Sequence, residues 1–278
     1  MCGRDSPPAA PVISGKTRVV ALLGQPVGHS LSPAMHNAAF RALGLAAVYV
    51  ALPCASADVA PLMGALVRAG GAGNVTVPHK AAAAAALSAR SARVLELDAC
   101  NTFWADGGAL VGDNTDVAGM LAAIELLDVS AGPWLVAGTG GSARALAAAA
   151  RERGAALAVH SRDPERAERF ARWAEGLGVA RADPRDAVLL VNATPLGLAP
   201  GDALPILPAD TPPGAAALDL VYAREETRWV RSLRARGHRA VDGREMLVAQ
   251  GAAAFRCWFP SVDPPVEIMR AAVHGALR

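Results

Sequence analysis

The chain has 278 residues, of which 53% are hydrophobic and 19% charged, and its formal net charge is +2. That length is generous for a single core, so two domains are expected in a soluble globular protein. The low charge without a dense Lys/Arg stripe argues against nucleic acid as a partner, and no apolar run reaches membrane-spanning length, so no membrane partner is expected either.

Residues 1–17, rich in Pro, Gly, Ser and Ala, lack an apolar stretch of signal-peptide length and read as a flexible tail. Cys2, Cys54, Cys100 and Cys257 show no CxxC spacing, which points to free thiols in a reducing compartment and a cytoplasmic protein. Strand patterns fall at residues 18–23, 46–52 and 73–77, with helical patterns at 33–43, where Pro33 stands at the start, and at 57–68. This βαβαβ alternation predicts a parallel sheet. Two short apolar runs around Asn101 and Leu110 flank Asp106-Gly107-Gly108, a hairpin signal. A long helix is expected from Asn114 or Thr115 to Leu127.

The pattern then restarts, with strands at 134–137, 155–160, 188–192 and 216–220 and helices at 140–153 and 164–177. This second unit reads as a complete nucleotide-binding domain. From Gly243 onward two helices, broken at Pro260 and at Pro264-Pro265, are expected to return to the first domain. The division is therefore a discontinuous domain of residues 18–116 plus 243–278 and a second domain of residues 117–242.

The most informative segment is Asn74-Val75-Thr76-Val77-Pro78-His79-Lys80. Val75 and Val77 alternate with polar residues as on a buried strand, and Pro78 ends the ladder. Polar side chains then stand at the end of a parallel strand, where open α/β proteins bind ligands. Lys80 falls in the first turn of an alanine-rich helix, whose dipole disfavours the ammonium charge and suits it to proton transfer.

The strongest cofactor signal is the run Trp134-Leu135-Val136-Ala137 into Gly138-Thr139-Gly140-Gly141-Ser142. A strand, a glycine turn and a helix start let a diphosphate approach backbone N–H groups. Beyond the next strand come Ser161, Arg162 and Asp163, with Arg166 a turn later. Arginine there suits a ribose 2′-phosphate, so NADP is favoured over NAD, although Asp163 is an awkward neighbour for a phosphate. The alternative is that both arginines pair with Asp163 and Glu165 on a wet helix.

Ser30 and Ser32 precede the helix begun by Pro33, where two hydroxyls beside free N–H groups make a carboxylate cradle; simple capping by Ser32 is the alternative. His29 and His36 lack a third ligand of suitable spacing, so no metal is expected. Asp116 follows a strand and opens a helix, which favours its ionised form, and with Lys80 it can form an ammonium–carboxylate pair that passes a proton to or from a hydroxyl. Such a pair beside an NADP domain implies hydride transfer at a carbonyl.

Across nearly its whole length the sequence resembles the shikimate dehydrogenase family. The resemblance is carried by His29-Ser30-Leu31-Ser32-Pro33-Ala34-Met35-His36-Asn37, by residues 74–80, by Asn101-Thr102 and by Gly112-Asp113-Asn114-Thr115-Asp116. Asn192-Ala193-Thr194-Pro195-Leu196-Gly197 and Asp242-Gly243-Arg244-Glu245-Met246-Leu247-Val248-Ala249-Gln250-Gly251-Ala252 complete it. It implies an α/β fold with two domains, an N-terminal substrate domain on a mainly parallel sheet and a Rossmann-like NADP-binding domain, with a cleft between them. It also implies NADPH-dependent reversible reduction of 3-dehydroshikimate to shikimate; monomer or homodimer is left open. Lys80 and Asp116 would be the catalytic pair and Ser30 and Ser32 the carboxylate site. Asn74, Thr76, Asn101, Asp116, Tyr222 and Gln250 would surround the ring hydroxyls. Asn192 and Thr194 would join Gly138–Ser142, Ser161, Arg162 and Arg166 at the cofactor, with Leu220 and Gly243 at its nicotinamide end.

The chain departs from that family at Asp98 (usually glycine), Thr139 (usually alanine), Asp163 (usually threonine) and Arg224 (usually proline). None touches Lys80 or Asp116. A quinate or quinate/shikimate dehydrogenase using NAD is the first alternative, and a non-catalytic NADP-binding sensor the second.

Overall fold

Near-continuous apolar runs in the strands call for sheets covered on both faces, and two such sheets form. The computed structural model describes residues 13–199 and 201–277; most of the expected tail, with Cys2, lies outside them, and residues 14–17 make a turn in which the Thr17 N–H donates to the Ser14 carbonyl at 3.0 Å. In the first sheet β1 (Arg18–Gly24) pairs in parallel with β2 (Ala47–Pro53) and β3 (Ala72–Val75). A short β4 (Ala89–Arg90) and the hairpin of β5 (Thr102–Asp106) and β6 (Ala109–Asp113) extend it to the order β2-β1-β3-β5-β6-β4, with β5 antiparallel to β3. Gly107 and Gly108 turn the hairpin at φ of 55° and 83°, left-handed conformations that favour glycine.

Around this sheet stand α1 (Ser32–Ala42), α2 (Val59–Arg68), α3 (Lys80–Ala86) and α4 (Ala92–Leu97). The third strand stops at Val75, two residues earlier than the alternation suggests. After the Thr76 N–H donates to the Leu23 carbonyl at 2.8 Å the chain turns away, and Pro78 has no N–H with which to continue. Val77 is therefore 60% exposed, not buried. Asp98 ends α4 at φ 48°, ψ 41°, a left-handed conformation that aspartate tolerates better than most residues.

The helix α5 (Asp116–Glu125) leads to the second sheet, which is wholly parallel in the order β11-β10-β9-β7-β8. Its strands are β7 (Trp134–Ala137), β8 (Leu157–His160), β9 (Leu189–Asn192), β10 (Ala216–Asp219) and β11 (Ala240–Val241), with α6 (Gly141–Arg153), α7 (Pro164–Gly176) and α8 (Arg228–Arg234) between them. The helices α9 (Arg244–Trp258) and α10 (Val266–Ala276) lie against the first sheet, where Phe255, Trp258, Met269 and Val273 share a core with Met35, Phe40 and Tyr49.

In both sheets the strand order reverses beside the first strand of the unit, between β1 and β3 and between β7 and β9. The carboxyl ends of strands at such switch points open a crevice for ligands. Two contacts aim the crevices at each other. The helix α5 packs against both α9 and α6, and on its other flank α4 is tied to α6 by ion pairs Arg93–Glu152 (2.5 Å) and Arg151–Glu96. Gly119 lets α5 approach α9 closely, since a Cβ there would lie 2.8 Å from the Met246 carbonyl oxygen and 2.9 Å from Gln250 Cβ. Gly119→Ala should thus push α5 off α9 and lower stability by about 1–3 kcal/mol, as overpacking does; urea unfolding of both proteins measures it, and coincident curves would show that the helices part without cost.

Candidate active site

The two crevices merge into one cavity of about 380 Å³, walled by the segments after β1 and β3 on one side and those after β9 and β10 on the other. Ser30, Ser32, Asn74, Thr76, Lys80, Asn101, Asp116, Tyr222 and Gln250, the substrate candidates of the sequence, all line it. Of the cofactor candidates, Ser142, Thr194 and Leu220 do so; the remainder lie outside this cavity.

At its floor Lys80, the first residue of α3, donates from Nζ to Asp116 Oδ2 at 2.5 Å. Asp116, the first residue of α5, is 4% exposed, and its Oδ1 accepts from Asn101 Nδ2 at 2.8 Å. Both carboxylate oxygens thus have partners, the condition for keeping a charge out of water. Asn101 is itself fixed, its Oδ1 accepting the Thr115 N–H at 2.8 Å. Asn114 Oδ1 accepts the Asp116 N–H at 3.1 Å, and Asn114 Nδ2 donates to the Ala99 carbonyl at 3.0 Å. Across the cavity, Lys80 Cδ lies 3.5 Å from where a Cβ on Gly141 would be, so the lysine stem touches the start of α6.

Ser30 Oγ accepts the Ser32 N–H at 3.2 Å, and the cap position of α1 is Leu31, so Ser32 does not cap the helix. From the other half, Tyr222 reaches over this loop; burial raises its pKa, while hydrogen bonds to the Leu31 backbone and the Ser30 side chain pull it back. Asn101 Nδ2 lies 3.5 Å from Gln250 Oε1, and Gln250 Nε2 donates to the Leu247 carbonyl at 2.8 Å. Thr76 packs beside Gly24, where a Cβ would fall 2.4 Å from its methyl carbon.

On the second sheet Gly138 adopts φ 109°, and a Cβ would lie 2.9 Å from the Ala193 carbonyl oxygen, so the glycine turn and the loop after β9 touch. Gly140 caps α6 with no side-chain acceptor for the first-turn N–H groups. With Thr139 and Gly141 beside it, the helix start presents bare backbone donors that fit a diphosphate. Beyond β8, Ser161 Oγ accepts the Asp163 N–H at 3.2 Å and Asp163 Oδ1 accepts the Arg166 N–H at 3.1 Å. Asp163 therefore caps α7, and its carboxylate turns into its own helix. Arg162 and Arg166 are exposed and, among the described residues, make no ion pair, whereas Glu165 pairs with Arg169 at 3.5 Å; the expected alternative of local arginine pairing is not found.

Asn192 is wholly buried and is not among the residues lining this cavity. Its Nδ2 donates to Asp219 Oδ1 at 2.8 Å and to the Leu196 carbonyl at 2.9 Å, and its Oδ1 accepts the Thr194 hydroxyl at 2.6 Å. It builds the loop that presents Thr194. Gly243 abuts Leu220, since a Cβ would meet the Leu220 carbonyl oxygen at 2.4 Å.

His36 is fully buried, stacks on Tyr49 at 4.6 Å and has its pKa pushed down by burial to about 3, so it is neutral at working pH. Among the described residues no three His, Cys, Asp or Glu side chains converge to hold a metal ion, and no helix is long and apolar enough to cross a membrane. Cys54, Cys100 and Cys257 are free thiols. Sequence reasoning missed Tyr49, whose OH donates to Asn74 Oδ1 at 2.8 Å. A tyrosine amid the apolar residues of a buried strand was the available signal, because its hydroxyl needs a partner there.

A bare helix start facing a lysine–carboxylate pair across one cleft is the arrangement of a dinucleotide-dependent oxidoreductase. Comparison with known proteins narrows that class. Residues 22–103 match the shikimate dehydrogenase substrate binding domain and residues 243–274 the shikimate 5′-dehydrogenase C-terminal domain. A shikimate dehydrogenase (NADP(+)) of Salinibacter ruber is 40% identical, over 96% of this chain and 99% of its own. That of Synechocystis is 37% identical, over 95% and 97%. The crystal structure of shikimate 5-dehydrogenase from Thermus thermophilus in complex with NADP(H) and shikimate is 38% identical and superposes with a TM-score of 0.85, over 93% of this chain and 99% of that one. The chain belongs to the shikimate dehydrogenase family.

Asp219 yields a pH prediction. Burial raises its pKa from 3.8 to about 6, against hydrogen bonds from Thr227, Asn192 and the Val221 N–H that lower it. Below pH about 4 the carboxyl is protonated in both folded and unfolded chains. Between about 4 and 6 the folded chain keeps a proton that the unfolded chain has lost, so stability falls as pH rises, by about 3 kcal/mol in all. Asp219→Asn should begin less stable, having lost an acceptor, and lack this decline. Urea midpoints at pH 4.5 and 7.0 test it, and parallel shifts in both proteins would contradict it.

Proposed function

We propose that the protein catalyses the reversible NADPH-dependent reduction of 3-dehydroshikimate to shikimate in the cytoplasm. The observation that carries this reading is the 2.5 Å Lys80–Asp116 pair, set in a cavity whose opposite wall is the uncapped start of α6. Residues 18–116 and 243–278 are the substrate domain and residues 117–242 the cofactor domain. Their crossings at Asp116 and at Asp242-Gly243 are the hinges.

In this reading Ser30 and Ser32 hold the substrate carboxylate, and Asn74, Thr76, Asn101, Tyr222 and Gln250 hold the ring hydroxyls. The N–H groups from Gly138 to Ser142 receive the diphosphate of NADP. Ser161, Arg162 and Arg166 receive its 2′-phosphate, a role supported by the two unpaired guanidiniums and by the inward turn of Asp163. Thr194, Leu220 and Gly243 flank the nicotinamide. When bound, NADPH supplies a hydride for the ring carbonyl carbon. Lys80 Nζ gives a proton to the carbonyl oxygen, and Asp116 holds the ammonium in place and shares the proton; in the oxidative direction the pair takes the hydroxyl proton. Closure of the two halves excludes water from the reacting atoms.

Reduction of NADP in the presence of shikimate, with quinate and NAD as comparisons, tests the reading directly; turnover with quinate and NAD alone would replace it with the quinate alternative. Lys80→Ala should lower turnover by ~10²–10⁴-fold and leave NADP binding nearly intact. Asp116→Asn should do the same, and the double variant should fall well short of the product of the two losses, because the residues act as a unit. Arg162→Ala should raise the Michaelis constant for NADP roughly tenfold or more, and that for NAD little; equal effects on both would remove the 2′-phosphate role.

A further inference from the structure

Tyr49 lies on β2 and is 1% exposed, yet its hydroxyl meets the polar wall of the cavity from behind. Its ring cannot swing away, being stacked on His36 at 4.6 Å with an interplanar angle of 18° and flanked by Trp258 at 6.1 Å. Both His36 ring nitrogens lack hydrogen-bond partners, so this support is a matter of packing alone.

The direction of each hydrogen bond on this wall follows from what each atom is able to do. The Asn101 carbonyl can only accept, so the end of Asn74 that faces it at 3.0 Å is Nδ2. Oδ1 of Asn74 therefore faces Tyr49, and at 2.8 Å the Tyr49 hydroxyl must be the donor. With its one proton committed, the Tyr49 oxygen can only accept from any further neighbour. Burial raises the Tyr49 pKa, so the donor persists across the working range.

The result is a run of bonds from Tyr49 through Asn74 and Asn101 to Asp116 and Lys80. Its last two members are the proton-transfer pair. Asn74 uses one Nδ2 hydrogen within this run and has the other for the cavity that it lines. On the reading of shikimate as the substrate, we propose that Tyr49 is a positioning residue for substrate recognition, which fixes the carboxamide of Asn74 so that it offers an N–H to a ring hydroxyl. Without the Tyr49 donor, Asn74 Oδ1 is a buried acceptor with no partner, and the amide gains by rotating its oxygen towards the cavity.

Tyr49→Phe keeps the ring and its stacking, and melting curves check that the fold is retained. The Michaelis constant for shikimate should rise about tenfold, the cost of one misdirected hydrogen bond. Turnover at saturation should stay within about threefold, and the Michaelis constant for NADP within about twofold, the scale of effects at sites that touch neither group. In an Asn74→Ala background, where no amide remains to be fixed, the same substitution should add less than about threefold. An unchanged Michaelis constant for shikimate, or a full tenfold loss in the Asn74→Ala background, overturns the role. Failure of the wild-type protein to turn over shikimate overturns both the role and the function on which it rests, whereas a normal wild type with an indifferent Tyr49→Phe overturns the role alone.

Discussion

A carboxylate and an ammonium withdrawn from water must find each other and fill their remaining hydrogen-bonding positions, or the site does not hold. Lys80 and Asp116 meet this constraint, and much of the first sheet is arranged around it. Asp116 receives Lys80 on one oxygen and Asn101 on the other. Asn101 is aligned by Thr115, the loop before α5 is tied back by Asn114 to Ala99, and Ser91 donates to Asp113 at 2.6 Å at the edge of the same loop. These bonds clip the start of α5 to the segment between α4 and β5, whose Asn101 carbonyl accepts the Val75 N–H at 2.9 Å at the end of β3, so the position of the pair is settled by strand pairing and helix packing together. Removing water from the pair strengthens the attraction within it and leaves few ways for either group to turn aside.

The same geometry explains why the chain needs two sheets. Each presents one switch point, and neither crevice alone has both proton-transfer groups and bare helix N–H donors. The helix α5 packs on α9 and on α6, and the ion pairs between α4 and α6 brace the far side. Lys80 and Gly141 consequently face each other across a gap closed to side-chain dimensions. Asp219 and Asn192 extend the scheme on the cofactor side, where a buried carboxylate organises the loops after β9 and β10.

Much of this was legible in the residues because the informative segments are local. The βαβαβ alternation, the glycine turn after β7 and the return of the last two helices follow from periodicity and turn chemistry, and the polar residues around Lys80 and Asp116 sit at strand ends that such patterns locate. What escaped depends on contacts distant in the chain. Tyr49 lies 25 residues from Asn74 and reads as another apolar strand position. Val77 obeys the alternation of a buried strand, yet no neighbouring strand extends to it. Asn192 has the composition of a ligand-binding residue, but its partner Asp219 lies 27 residues on and draws it inward. Asp163 looks repulsive to a phosphate until the helix that it caps is in place. The short elements β4, α4, α8 and β11 carry too few residues to show a period.

The central claim is that one cleft brings a ring carbonyl to a nicotinamide and to the Lys80–Asp116 pair together. Incubating the protein with 3-dehydroshikimate and NADPH deuterated at the transferable nicotinamide position, and reading the product by mass spectrometry and NMR, tests it most directly. The account predicts shikimate with one deuterium on the carbon bearing the new hydroxyl, and loss of that product in Lys80→Ala. Product without the label, or labelled product formed equally well by Lys80→Ala, would contradict it.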